Sequence, residues 1–356
     1  MSAARPTTLV VIFLRGGADG LALMPPLGDP AYAGLRPTLA AADPGLALDG
    51  RFTLHPQLAA LGSLWQERRL ALIPACGSDD QTLSHFEAQD LMEHGGHGVG
   101  SGWLGRYLAT SGAHALQAVS MDDAVPLMLA AAPGAMAYRC LQGASGDALC
   151  TARISRLYQQ DAQLAAVAGT AVAAQARLEQ FSRSVHQPSP AARYPDSAFA
   201  ASLRTLAGLL TAEVLDLRAA TLDLFGWDTH VAQSRLLASQ AALLADGLAA
   251  FARDLGGVLE RVTVVVMSEF GRRAYENTTL GTDHGRGGLM LVMGGRTQGG
   301  IQGTWPGLSP HQLVGPGDVA VTTDYRQVLA GVLAGDAILD ASVFPGLDQA
   351  ARNLPP

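Results

Sequence analysis

The stretch RVTVVVMSEFGRR, residues 261–273, decides the fold. Its centre is a β-branched apolar run without polar alternation, so it reads as a strand covered on both faces. The run breaks at Ser268–Glu269–Phe270–Gly271, which leaves a carboxylate at the end of a buried strand, where it needs a partner. Outward from it, TTLVVIFLRGGADG (7–20) is a second such run ending in a glycine-rich turn. Residues 68–95 read as a strand, a polar loop and a helix, with Ser84 at the N-cap and Glu87 three residues on, as in a capping box. VLDLRAATLDLFGWDTH (214–230) is a strand running into a loop, and GLMLVMGG (288–295) is another strand. Residues 233–257 form an amphipathic helix stopped at Gly256–Gly257, and 322–335 an N-capped helix. Strands separated by helices predict an α/β fold, with a mostly parallel central sheet and helices on both faces. The whole chain, 1–356, is expected to be one domain, with a helical insertion around 151–200.

Composition narrows the function. Hydrophobic residues make up 48% of the 356 and charged ones 15%, so the chain is globular. The net charge of −7 and the lack of a basic cluster argue against a nucleic-acid partner. The chain has no lysine, which excludes Schiff-base and P-loop chemistry. No apolar run is long enough to span a membrane. Cys76, Cys140 and Cys150 lack metal-knuckle spacing; Cys140 and Cys150 are free to pair, but spacing does not decide it.

Sheets of this kind bind ligands beyond the carboxyl ends of their strands. Polar clusters recur there: Asp19, Ser84 with His85, Asp228 with His230, Glu269, and Asp283 with His284. Each has a plain alternative, such as a turn residue for Asp19, a cap for Ser84 and an Asx turn for Asp228 and His230. Jointly, these oxygen and nitrogen donors suit zinc, manganese or magnesium. A serine at a helix N-terminus adds a nucleophile where an anion is favoured. Arg272, Arg273 and Arg286 are candidates for holding substrate oxygens. His55 reads as structural, His94 and His97 as loop residues with ligand potential, and Asp79 and Asp80 as solvated.

The ordered motifs VVIFLRGGADGL, LHPQL, SHFEAQD, GWLGRYL, GWDTH, VVMSEFGRR and TDHGRGG resemble the bacterial domain-of-unknown-function 1501 family over nearly the whole chain. That family in turn resembles the alkaline phosphatase and sulfatase superfamily. The resemblance implies an early metal-binding Asp at Asp19, a nucleophile at Ser84 with Thr82 second, and metal ligands at Asp228 and His230. The superfamily's next Asp-His pair falls on Glu269–Phe270, and phenylalanine binds no metal. Either Glu269 replaces the Asp and His284 is the last His, or an insertion shifts the pair to Asp283–His284. The sulfatase Cys-x-Pro-x-Arg signature is absent. The implied activity is metal-dependent hydrolysis of a small anionic phosphate or sulfate ester by a serine or a metal-bound water, with His85 beside Ser84 in the catalytic group. The alternatives are a non-catalytic binding or assembly protein with a degenerate site, and a phosphotransferase or mutase. Relatives often carry a twin-arginine export signal that MSAARPTT lacks. A cytoplasmic location is expected, or a periplasmic one if an export signal has been removed.

Overall fold

The computed structural model describes residues 7–40, 43–110, 116–138, 156–158, 160–182, 186–212, 215–334 and 339–347. Cys140, Cys150 and part of the expected insertion lie outside them. The elements that build the site, in chain order, are β1 (Thr8–Arg15), β2 (Leu70–Gly77), α1 (His85–His94), β3 (Ala118–Ser120), β4 (Ala135–Ala137), α2 (Ala162–Ser182), α3 (Ala198–Thr211), β5 (Ala219–Phe225), α4 (Gln233–Leu255), β6 (Val262–Met267), β7 (Gly271–Arg272), β8 (His284–Gly285), β9 (Gly288–Gly294), β10 (Gly300–Ile301), β11 (Thr323–Asp324) and α5 (Tyr325–Ala334).

One sheet runs in the order β10-β2-β9-β6-β1-β5-β3-β4, with β11 also paired to β2. The five strands expected from apolar runs all lie in it. β1 pairs in parallel with both β5 and β6, in a register that matches Arg15 with Phe225 and Phe13 with Met267. The carboxyl ends of three central strands therefore stand at nearly the same level. β9 is antiparallel to β2 and β6. Its amino end lies at that same edge, so the loop before it, rather than after it, meets the other strand-end loops.

Alternate residues of β1 go to opposite cores, as strand geometry requires. Val10, Ile12 and Leu14 pack with α3 and α4. Leu9, Val11 and Phe13 pack with Trp103, Leu104 and the Tyr325, Val328 and Leu329 face of α5. Both faces of the sheet are thus covered by helices. On α4 the buried Leu237, Ala241, Leu244, Leu248, Phe251 and Leu255 recur at helical spacing, which fixes the face it turns to the sheet. Gly256, at φ +50°, ends it. The α1 helix buries Ala88, Leu91 and Met92 and ends at left-handed Gly95, which aims its amino end at the strand-end edge.

The expected capping box does not form. Ser84 occupies the N-cap of α1 with extended backbone, but its side chain makes no capping hydrogen bond and Glu87 is exposed. The turn before it is held instead by Asp80, which accepts from the Thr82 hydroxyl and the Leu83 amide. Leu83 has a left-handed backbone, φ 52°, a strained state for a branched side chain.

Candidate metal centre

Three imidazoles and one carboxylate converge at the sheet's edge. Asp228 Oδ1 lies 3.0 Å from His230 Nε2 and 3.3 Å from His284 Nε2, and its Oδ2 lies 3.5 Å from His85 Nε2. The Nε2 atoms of His230 and His284 are 3.0 Å apart. Ligand atoms of His85, Asp228 and His284 all lie within 4.8 Å of one another.

Two of the rings are held from behind by hydrogen bonds, and the third faces a carboxylate. His85 Nδ1 donates to Glu269 Oε1 at 2.8 Å, and His284 Nδ1 donates to the Leu83 carbonyl at 2.9 Å. His230 Nδ1 faces Asp283 Oδ1 at 3.6 Å. A carbonyl or ionised carboxylate only accepts, so in a neutral His85 or His284 the proton sits on Nδ1 and the Nε2 lone pair points inward. His85 Nε2 is buried and has no hydrogen-bond partner among the described residues. Lone pairs and a carboxylate aimed at one another repel unless a cation or proton lies between them. Backing of the distal ring nitrogen by a carboxylate or carbonyl is also how proteins orient metal-binding histidines. The donors present therefore fit a divalent cation.

The electrostatics follow from the same contacts. Burial alone would raise the Asp228 carboxyl, but Arg272, with help from His284 and His230, holds it at about 2. Burial opposes ionisation of Glu269 too. Hydrogen bonds from His85, Gln89 and backbone amides outweigh it, and the carboxyl falls to about 2. The bond to Glu269 raises His85, whereas burial lowers His284.

The structure places the expected site residues as follows. Asp19 stands apart from the imidazole cluster's contacts. It is fully buried, caps the short helix Gly20–Leu23 by accepting from the Leu21 and Ala22 amides, pairs with Arg36 at 2.6 Å, and accepts from Gln233 at 2.5 Å. Glu269 is likewise saturated, by Gly16 N, His85, Gln89 and Ser268. Asp283 stands behind His230, tied to Asn277 and Arg273. Glu269 and Asp283, the carboxylates of the two alignments, each lie on the Nδ1 side of an imidazole. His85, expected beside the nucleophile, enters the candidate ligand set.

Phe270 has a role of its own. Its ring lies 5.0 Å from that of His85 and 4.5 Å from that of His284, and forms a wall against which both stand. Arg272 is buried, and its guanidinium donates to the carbonyls of Gly16, Gly17, Trp227 and Thr282 as well as to Asp228. Its bonds tie together the loops that carry Gly16, Trp227 and Thr282. Arg273 is engaged by Tyr275 and Asp283. Arg286 is half-buried, with its Nε buried and unpartnered among the described residues. Ser84 lies between Leu83, whose carbonyl holds His284, and His85 itself. His97 pairs with Asp79 on the surface, His94 meets the Ser101 carbonyl, and His55 accepts from the Gln57 amide; none joins the cluster.

Sequence reasoning missed Gln233. Its side chain donates to Asp19 and accepts from the Thr229 and Thr282 hydroxyls, joining three strand-end loops. A glutamine on an otherwise apolar helix face next to GWDTH was the available signal.

The family model "protein of unknown function (DUF1501)" matches residues 74–345. The chain belongs to that family. No curated protein matches it. Among solved structures it is similar, at low scores, to the C-terminal periplasmic domain of EcEptC from Escherichia coli in complex with Zn. That pair is 11% identical, with a TM-score of 0.43, over 100% of this chain and 88% of the other. It is also similar to the phosphonate monoester hydrolase of Agrobacterium radiobacter, at 10% identity and a TM-score of 0.41 over 96% and 78%. Among the described residues no helix is long and apolar enough to cross a membrane.

Proposed function

We propose that the protein is a metal-dependent hydrolase of a small anionic phosphate or sulfate ester. The observation that carries this reading is the convergence of the three Nε2 atoms of His85, His230 and His284 on Asp228, with the His85 and His284 rings hydrogen-bonded at Nδ1 and His230 facing Asp283. Imidazole-rich sites suit zinc, while manganese or magnesium would lean on the single carboxylate. His85, Asp228 and His284 would hold the cation, with His230 beside them. When bound, it would supply positive charge that polarises the ester and favours an ionised nucleophile.

The protein's own groups have separable tasks in this reading. Ser84 is the candidate nucleophile: its hydroxyl is not spent on capping, and the amino end of α1 favours an anion there. Arg286 is the candidate for holding ester oxygens, because it is half-buried and its Nε has no hydrogen-bond partner among the described residues. Glu269 and Phe270 set the tilt and height of His85. Asp283 orients His230.

The test is metal content after reconstitution with zinc, manganese or magnesium, followed by a screen of phosphate and sulfate esters. Bound metal with turnover supports the reading, and His284→Ala should then lower stoichiometry by at least half. Unchanged stoichiometry would remove His284 from the site. Metal without turnover on any ester favours the binding-protein alternative.

A further inference from the structure

The face of α1 that carries His85 carries two more polar side chains. His85, Gln89 and Glu93 recur four residues apart, so they share one side of the helix, while Phe86, Glu87 and Asp90 are exposed. A polar stripe on the packed side of a helix is costly unless its groups are bonded. Here the bonds run in one line. Arg15, at the end of β1, donates to Glu93 Oε1 at 2.7 Å and to Gln89 Oε1 at 3.2 Å, and pairs with Asp223 of β5 at 3.0 Å. Gln89 Nε2 donates to Glu269 Oε1 at 2.9 Å, and His85 Nδ1 meets that same oxygen at 2.8 Å.

The line has a direction. A guanidinium only donates and an ionised carboxylate only accepts, so the Gln89 amide has one orientation that satisfies both neighbours. Its Oε1 faces Arg15 and its Nε2 faces Glu269. Turned over, it would set N–H groups against N–H groups and a lone pair against the carboxylate. Arg15 thus fixes the amide. Two side chains one turn apart then grip a single carboxylate oxygen, which ties α1 at two points to the loop just beyond β6. Held by His85 alone from that helix, the carboxylate and the ring could tilt together. With Gln89 also bound, the carboxylate keeps its place, and so does the far nitrogen of the ring, which lies 3.5 Å from Asp228 Oδ2.

Resting on the metal-centre half of the hydrolase reading, we propose that Gln89 is a positioning residue for the cation site. Held by Arg15, it sets the Glu269 carboxylate and, through it, the place of His85 Nε2. Its removal strands no charge, because Arg15 keeps Glu93 and Asp223, while Glu269 keeps the Gly16 amide and His85. Fold stability and metal affinity therefore part company at this residue.

The experiment titrates the metal-free full chain with zinc against a competing chelator and follows unfolding in denaturant. Gln89→Met keeps the length of the side chain but removes both bonds. Zinc affinity should fall at least about tenfold, with the unfolding midpoint close to the parent's. Gln89→Ala should behave alike, since a grip rather than a volume is lost. In a Glu269→Gln background, which keeps Asp228 and every imidazole, adding Gln89→Met should cost less than about threefold, because the amide acts through that carboxylate. Cobalt in place of zinc reports the ligand positions directly, and its visible bands should shift in Gln89→Met. Affinity within about twofold of the parent, an unshifted cobalt spectrum, an undiminished loss in the Glu269→Gln background, or failure of both Gln89 variants to fold overturns the proposal. No ester enters these measurements, so a failed ester screen leaves the proposal standing. A parent that binds no zinc removes it together with the metal centre. A parent that binds zinc while Gln89 is indifferent removes the proposal alone.

Discussion

The loops after β1 and β5 are neighbours with opposite fates. Both leave parallel strands in register, both turn on glycines with positive φ, and both reach an aspartate within a few residues. They even pack on each other: a Cβ on Gly16 would stand 2.5 Å from the Asp228 amide nitrogen. Yet Asp19 is sealed in and fully bonded, whereas Asp228 is half exposed and faces three imidazoles. A carboxylate's place at a strand end does not separate an anchor from a ligand. What surrounds its oxygens does. Asp19 meets donors that neutralise and satisfy it, while Asp228 meets, besides Arg272, ring nitrogens whose protons are drawn away on the far side.

The largest test of that contrast is to remove each carboxylate in turn. Asp19→Ala leaves Arg36 fully buried without its counter-ion, although two carbonyls still accept from it. The expected loss is ~3–5 kcal/mol in denaturant unfolding. Asp228→Ala should cost under ~1 kcal/mol, since Arg272 keeps four carbonyl acceptors, but should abolish stoichiometric metal binding. Equal destabilisation by the two would erase the distinction.

Acid stability probes the carboxylate behind His85. The Glu269 carboxyl sits at about 2 in the fold against an ordinary 4.5. A depressed folded value means stability that is present above pH 4.5 and lost as pH falls from there towards 2. Its size is about 3 kcal/mol. Stability measured across that window should fall steeply in the parent and more gently in Glu269→Gln. Identical slopes would show that Glu269 is not the group being titrated. Asp228 shifts in the same direction but is too exposed to contribute comparably.

A smaller effect is expected behind His230. Asp283→Asn keeps the shape but weakens the hold on Nδ1, so metal affinity should fall about 10–100-fold with stability little changed. A loss of stoichiometry as complete as that of Asp228→Ala would make Asp283 a direct ligand and restore the shifted Asp-His alignment.

The architecture was legible because unbroken apolar runs such as VTVVVM have only one comfortable setting, a sheet covered on both faces. The strand-end loops were legible for the same reason, and with them the neighbourhood of Asp228, His230 and His284. The roles within it were less so. Asp19, Glu269 and Asp283 look alike in sequence, and only tertiary partners distinguish them: Arg36 lies far along the loop from Asp19, and His85 is distant in sequence from Glu269. Phe270 looked like a defect because a ligand was expected there, although its ring serves as a wall. His85 was read as Ser84's companion because they are adjacent, yet the first turn of α1 sends its Nε2 to Asp228.

The smallest expected effect is the most informative about Ser84. SHFE reads as a capping box, and loss of a true cap costs ~0.5–2 kcal/mol. In the fold the Ser84 hydroxyl caps nothing, and Asp80 holds the turn before it. Ser84→Ala should therefore change unfolding stability by less than ~0.5 kcal/mol, within the range of ordinary surface changes. Ser84→Asn should be equally neutral. If the hydroxyl is the nucleophile, both variants should bind metal normally and lose most turnover on whichever ester the screen identifies. A stability loss of ~1 kcal/mol or more in Ser84→Ala, recovered in Ser84→Asn, would show that the hydroxyl caps the helix after all. Neutral stability with turnover retained in both would exclude Ser84 as the nucleophile and pass the question to Thr82. That hydroxyl donates to Asp80 and is thus held by a carboxylate able to take its proton.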